Sequence, residues 1–125
     1  MQAVTVAAEF ARRNPKMAES YGLPSQAEEI AGYTRAAIKT ISHAIALAPH
    51  EPAYRFQRGR LQMKIDALPD ALEDMSAVID LEQHQAAPYY TEAAMACRDE
   101  VLERAQSRRA AAGSANNSGA RRNFA

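Results

Sequence analysis

The chain has 125 residues, with 15 lysines and arginines against 15 aspartates and glutamates, and 47% of it is apolar. Alanine supplies 28 of those apolar residues while glycine numbers 5 and aromatics make up 6%, a composition that favours closely packed helices and argues against a many-stranded sandwich or barrel. No run approaches the roughly 20 apolar residues of a membrane span, and a single cysteine, Cys97, excludes an internal disulfide and points to a reduced, cytoplasmic setting.

In chain order, residues 2–13 place Val4, Ala7, Ala8 and Ala11 at helical spacing and stop at Asn14 and Pro15, since proline disfavours the helical region in the residue before it. This stretch does not read as a secretory signal, because no basic region precedes it and Glu9 interrupts it. Residues 16–24 hold Gly22 and Pro24 and read as a connection. Ser25 and Glu28 then have the spacing of a capping box, opening a helix that continues through Ile30, Ile38, Ile41, Ala44 and Ile45 to Pro49, with Gly32 as a break or kink. A further helix is predicted from Pro52 to Asp66, proline suiting a first turn where its missing amide proton would be unpaired anyway. Pro69 and Asp70 begin another, with Leu72, Met75, Val78, Ile79 and Leu81 on one side. After a short link at 84–87, Pro88 starts a long helix carrying Tyr89, Ala93, Ala96, Val101 and Leu102 to about Ala112. Residues 113–125 are small, polar and basic and read as a disordered tail. The domain organisation expected is therefore 1–24 as helix and connection, 25–112 as a helical domain, and 113–125 as tail.

Two segments match at an offset of 34 residues: 37–47, AIKTISHAIAL, and 71–81, ALEDMSAVIDL. Apolar or small residues coincide at Ala37 and Ala71, Ile38 and Leu72, Ile41 and Met75, Ala44 and Val78, Ile45 and Ile79, and Leu47 and Leu81, so one helical stripe is used twice. A period of about 34 is that of the tetratricopeptide repeat, and the chain resembles that family from Gln26 to Cys97, with residues 52–85 as the most complete unit. Ala71, Met75 and Val78 match the family's second-helix positions, and Gly59 its first-helix glycine, where the partner helix crosses closely. The family's tryptophan is missing, with Arg55 in its place, Arg58 replaces a leucine, and Gln83 replaces the closing proline. The first helix of the leading unit would contain Pro24 and is expected to be degraded or absent. The resemblance implies an all-α fold of antiparallel helix pairs, stacked as a short solenoid with a long C-terminal helix.

The resemblance also implies that first helices line a concave face. Residues 52–66 carry Arg55, Arg58, Arg60 and Lys64 against Asp66, a net +3, whereas residues 70–82 carry Asp70, Glu73, Asp74, Asp80 and Glu82, a net −5. A cationic inner helix beside an anionic outer one suits an acidic, extended peptide, or else reflects solvated faces and salt bridges between helices. The groove residues the resemblance implies are Phe56, Arg60, Met63 and Lys64, continued by Tyr90, Ala94 and Cys97. The family's carboxylate clamp is not intact: Gln57 stands at one of its places, but Gly22, Gln26, Ala87 and Thr91 occupy others.

Nothing reads as catalytic or cofactor-binding. His43, His50 and His84 show no ligand spacing, Cys97 has no sequence-adjacent base, no phosphate loop exists, and Glu28 with Glu29 reads as ordinary solvated charge. The function expected is a non-enzymatic interaction module, adaptor or chaperone-like, binding a protein or peptide segment in a basic and apolar groove without a metal or cofactor. Two alternatives are a homo-oligomer joined through Val4, Val6 and Phe10 or through Val101 and Leu102, and a binder of nucleic acid or acidic surfaces through Arg108, Arg109, Arg121 and Arg122.

Overall fold

The computed structural model describes Glu9, Arg13 and residues 16–124, with side chains described as far as Gly113. Among them run five helices and no strand: α1 (Glu19–Ile30), α2 (Thr34–Leu47), α3 (Pro52–Lys64), α4 (Leu68–Glu82) and α5 (Thr91–Phe124). Each packs on the next, so α1 pairs with α2, α3 pairs with α4, and α5 covers α4. Glu9 and Arg13 are helical and joined by an ion pair one turn apart; the rest of the helix predicted over 2–13, with Val4, Val6 and Phe10, lies outside the described residues.

The 34-residue register holds in three dimensions. Ala37, Ile41 and Ala44 on α2 and their counterparts Ala71, Met75 and Val78 on α4 are all fully buried. The first stripe packs with Leu61 of α3, and the second with Met63 of α3 and Ala94 and Val101 of α5. Burial of such side chains, each worth about 1.5–3 kcal/mol for the larger ones, is what sets the register. The turns obey the same period. After α1, Gly32 at φ +87° lets Tyr33 N–H reach Glu28 O at 2.8 Å and Gly32 N–H reach Glu29 O at 3.0 Å. After α3, Asp66 at φ +58° does the same, with Ala67 N–H on Gln62 O at 2.9 Å and Asp66 N–H on Met63 O at 3.1 Å. Both are left-handed helix stops that satisfy two orphan carbonyls.

The start of the first pair differs from expectation. Residues 19–24 are not a connection but the first half of α1, and Pro24 lies inside that helix. A proline there forfeits a ladder bond and costs about 3 kcal/mol, yet Pro24, Ser25 and Ala27 are buried. Ser25 is therefore no cap: its Oγ donates to Ala37 O of α2 at 2.8 Å. The first helix of the leading unit is present, and Gly32 separates two helices instead of bending one.

The far end differs too. Glu82 is 1% exposed and its carboxylate accepts from Tyr89 N–H at 3.2 Å, Tyr90 N–H at 2.8 Å and Thr91 Oγ1–H at 2.8 Å. That cap starts α5 at Thr91, not at Pro88, and turns Ala94, Cys97 and Val101 inward in place of Ala93 and Ala96, which are exposed. Val101, at 1% exposure, is committed to the core, while Leu102 is 42% exposed. α5 is unbroken at Arg98 and Asp99 and carries on to Phe124, through the segment read as a disordered tail; a helix already nucleated adds residues one bond at a time. Arg104 fixes it to α3 by donating to Met63 O at 3.2 Å.

Candidate functional site

The first helix of each pair lies on the inner side, and a hollow of about 510 Å³ opens there. Its wall comes from α1 (Glu19, Gly22, Leu23, Gln26), from α3 (Ala53, Tyr54, Phe56, Gln57, Arg60) and from Tyr90 at the threshold of α5. Neither α2 nor α4 contributes a lining residue. Glu51 caps α3, its carboxylate accepting from Ala53 N–H at 3.4 Å, and the helix phase then puts Ala53, Tyr54, Phe56, Gln57 and Arg60 along one side.

Of the groove residues implied by the resemblance, Phe56, Arg60 and Tyr90 line the hollow. The Phe56 and Tyr90 rings meet at 5.1 Å between centroids, and Tyr89 stands edge-on to Tyr90 at 4.7 Å. The other four do not line it. Met63 and Ala94 are buried in the core against α4, because the side of each helix they occupy is the one that closes the second pair. Cys97 packs against the same cluster; burial pushes its thiol up, with Glu100 adding and Arg60 opposing, so it stays a thiol near neutral pH. Lys64 turns away to an ion pair.

The basic wall itself is engaged elsewhere. Arg58 grips Asp74 of α4 through two bonds of 2.7 and 2.8 Å and donates to Ser42 Oγ of α2 at 3.2 Å. Arg55 adds a contact to Asp74 at 3.4 Å. Arg60 and Lys64 converge on Glu29 of α1, at 3.2 and 2.5 Å. Burial pushes the Glu29 carboxyl up, but the Lys64 and Arg60 bonds outweigh it and hold the group below its ordinary value. Glu29 is thus not ordinary solvated charge, nor is Asp74, which is 1% exposed; of the two alternatives for these cations, bridges between helices are what forms.

What remains in the hollow is aromatic and amide-bearing. Gly22, Gln26 and Gln57, noted as occupants of clamp places, do line it, whereas Ala87 and Thr91 do not. Glu19, Leu23, Ala53 and Tyr54 were missed; the first two sit on the half of α1 that Pro24 disguised. Gln57 Nε2 is buried without a hydrogen-bond partner. Burial raises the Tyr54 hydroxyl pKa, with Glu19 and Glu51 adding to it; burial likewise raises Tyr90, helped by Tyr89, Glu51 and Glu82. Both hydroxyls therefore remain protonated and able to donate.

Among the described residues no three histidine, cysteine or acidic groups converge as for a metal ion, and no helix is long and apolar enough to cross a membrane. No family model and no curated protein matches the chain. Among solved structures it is similar to a chain titled "Crystal structure of MamA protein", at a TM-score of 0.63 and 20% identity over 82% of this chain. The match covers 58% of that chain's length. At that identity the likeness is one of fold, and the fold is a tetratricopeptide-like stack of helix pairs.

Proposed function

We propose that the protein is a non-enzymatic interaction module, adaptor or chaperone-like, that holds a segment of a partner protein in the hollow between α1, α3 and Tyr90. The observation that carries this reading is a wall combining exposed apolar surface, Leu23 being 66% exposed, with polar groups that orient a guest, a combination common to ligand sites. Recognition needs no chemistry here: flat apolar contact supplies affinity and the Gln26, Gln57 and tyrosine groups supply direction. The test is nitrogen-edited NMR of the full chain titrated with peptides from a random decapeptide library. Bound segments would shift amides of 19–26, 53–60 and 90, and Leu23→Asp would weaken them while Leu102→Asp, at the far end, would not. Shifts confined to the outer side of α4 would defeat the reading.

A second reading, self-association, is favoured by Ile30, 87% exposed at the C-terminal end of α1. It requires a dimer in sedimentation equilibrium that Ile30→Lys abolishes.

A further inference from the structure

The wall of the hollow constrains what its guest is made of, and this step rests on the reading just proposed. Three features act together. The first is aromaticity: Tyr54, Phe56 and Tyr90 supply faces, Leu23 is the one large aliphatic side chain in the lining, and Tyr89, 83% exposed, extends the platform outward. A groove for an amphipathic helix would instead offer a long run of aliphatic anchor sites. The second is the free donor at Gln57 Nε2. That nitrogen is already cut off from water without a partner, so a guest acceptor that reaches it recovers about 1–3 kcal/mol. A helix has already used its carbonyls internally, but a polyproline-II segment has no internal hydrogen bonds and presents every carbonyl outward. The third is charge. Arg60 is held by Glu29, while Glu19 stands exposed in the lining and, with Glu51, acts on Tyr54. The mouth therefore favours a positive charge on its guest.

We infer that the hollow takes a proline-rich segment in the polyproline-II conformation with a lysine or arginine beside it. Proline rings lie on Tyr54, Phe56 and Tyr90, a backbone carbonyl of the guest accepts from Gln57 Nε2, and the basic side chain faces Glu19. The segment's conformation is largely formed before binding, so little ordering entropy opposes it. The acidic peptide suggested by residue charge alone is disfavoured, because the cations that would have met it are spent between helices.

The experiment is fluorescence anisotropy of the full chain with three labelled decapeptides: proline-rich with an arginine at one end, the same with glutamate in place of arginine, and a proline-free apolar peptide with the arginine. The first is expected to bind tightest. Gln57→Ala should weaken it about tenfold, and Glu19→Lys about fivefold at low salt, with the glutamate peptide gaining. Circular dichroism checks that both variants are folded, and Leu23→Asp, at an exposed position, is a third variant that must also weaken binding. Equal or tighter binding of the proline-free or glutamate peptide, still lost in Gln57→Ala, would overturn this inference but keep the hollow as a binding site. Proline-rich binding indifferent to all three variants would overturn it too. No binding of any peptide, here or in the library titration, would remove both readings.

Discussion

At the place where α1 meets α2 stands Ser25; at the place where α3 meets α4, 34 residues on, stands Gly59. Ser25 is accompanied by Ile41 and ties itself to the Ala37 carbonyl. Gly59 leaves its space to Met75, whose Cε would lie 2.7 Å from a Cβ built on the glycine. The same exchange recurs beside them. Pro24 in the first pair faces no ion pair, whereas its counterpart Arg58 reaches Asp74 and Ser42 and so links α2, α3 and α4. One plan is thus closed by small-residue packing and a backbone hydrogen bond in the first pair, and by a flexible thioether with a buried ion pair in the second. A repeat fixes where helices meet and leaves open how they are held.

The buried ion pair makes the largest test of that difference. Asp74→Ala strips Arg58 and Arg55 of their shared partner, and chemical unfolding should show a loss of about 3 kcal/mol. Replacing Arg58 and Asp74 together by leucine should restore most of it, since paired apolar groups can substitute for a buried ion pair. A double variant as unstable as the single one would mean that the geometry of the crossing, not charge, holds the second pair.

Next in size is the buried carboxylate cap that follows the second pair, where Glu82 is 1% exposed. Glu82→Ala orphans Tyr89 N–H, Tyr90 N–H and Thr91 Oγ1–H, for a loss of about 2 kcal/mol. Hydrogen exchange at 89–91 should quicken accordingly. Glu82→Gln keeps an acceptor oxygen and should cost about half as much. Because Tyr90 forms part of the hollow, Glu82→Ala should weaken peptide binding even where the fold persists.

The crossings can then be exchanged directly. Gly59→Ala drives a methyl into Met75, itself fully buried, and should destabilise by about 1.5 kcal/mol despite alanine's better helix propensity. Adding Met75→Ile copies the first pair and should recover the loss, measured by thermal melting. Failure to recover would show that the pairs' backbones are not equally spaced.

These cases mark what periodicity conveys. Ala37, Ile41, Ala44 and their counterparts were legible because a core stripe repeats itself every turn and cannot be moved without exposing it. The first half of α1 was not, because Gly22 and Pro24 are local breakers and burial on α2, a tertiary effect, overrides them. The Asp66 turn escaped because a left-handed residue is normally read from glycine. The ion pairs stood only as one of two alternatives and without named partners, for a different reason: Arg60 and Lys64 lie 31 and 35 residues from Glu29, and charge counted helix by helix is blind to which helices meet. Of the aromatic residues that line the hollow, Phe56 and Tyr90 stood among those the resemblance implied and Tyr54 did not.

Glu29 gives that correction a pH signature. Its folded pKa lies below the ordinary 4.5, so its contribution is complete above that value and disappears as pH falls through the lowered one. Glu29→Gln should lower stability by about 1 kcal/mol at pH 7, a modest figure because Arg60 and Lys64 are well exposed. Variant and parent should converge in denaturant titrations below the folded value. A difference that persists there would assign the effect to packing.

The smallest effects come from the turns, where the comparison is cleanest because the backbone is shared. Gly32 has nothing within 4 Å of an added Cβ, so Gly32→Ala should cost only the conformational penalty of about 1 kcal/mol. Asp66 already bears that penalty, and its carboxylate meets Arg108 at 2.9 Å and Arg104 at 3.6 Å on α5. Asp66→Gly relieves the backbone but frees the unfolded chain and drops both contacts, opposing terms that leave a net change of about 0.5 kcal/mol or less. Asp66→Asn separates them. It keeps a side chain tolerant of the left-handed region and removes the charge, so it should lose about 0.5 kcal/mol at low salt and nothing near 1 M, where screening acts over about 3 Å. A salt-independent loss would mean that the aspartate serves the turn and not α5, and the two stops would then differ in residue but not in task.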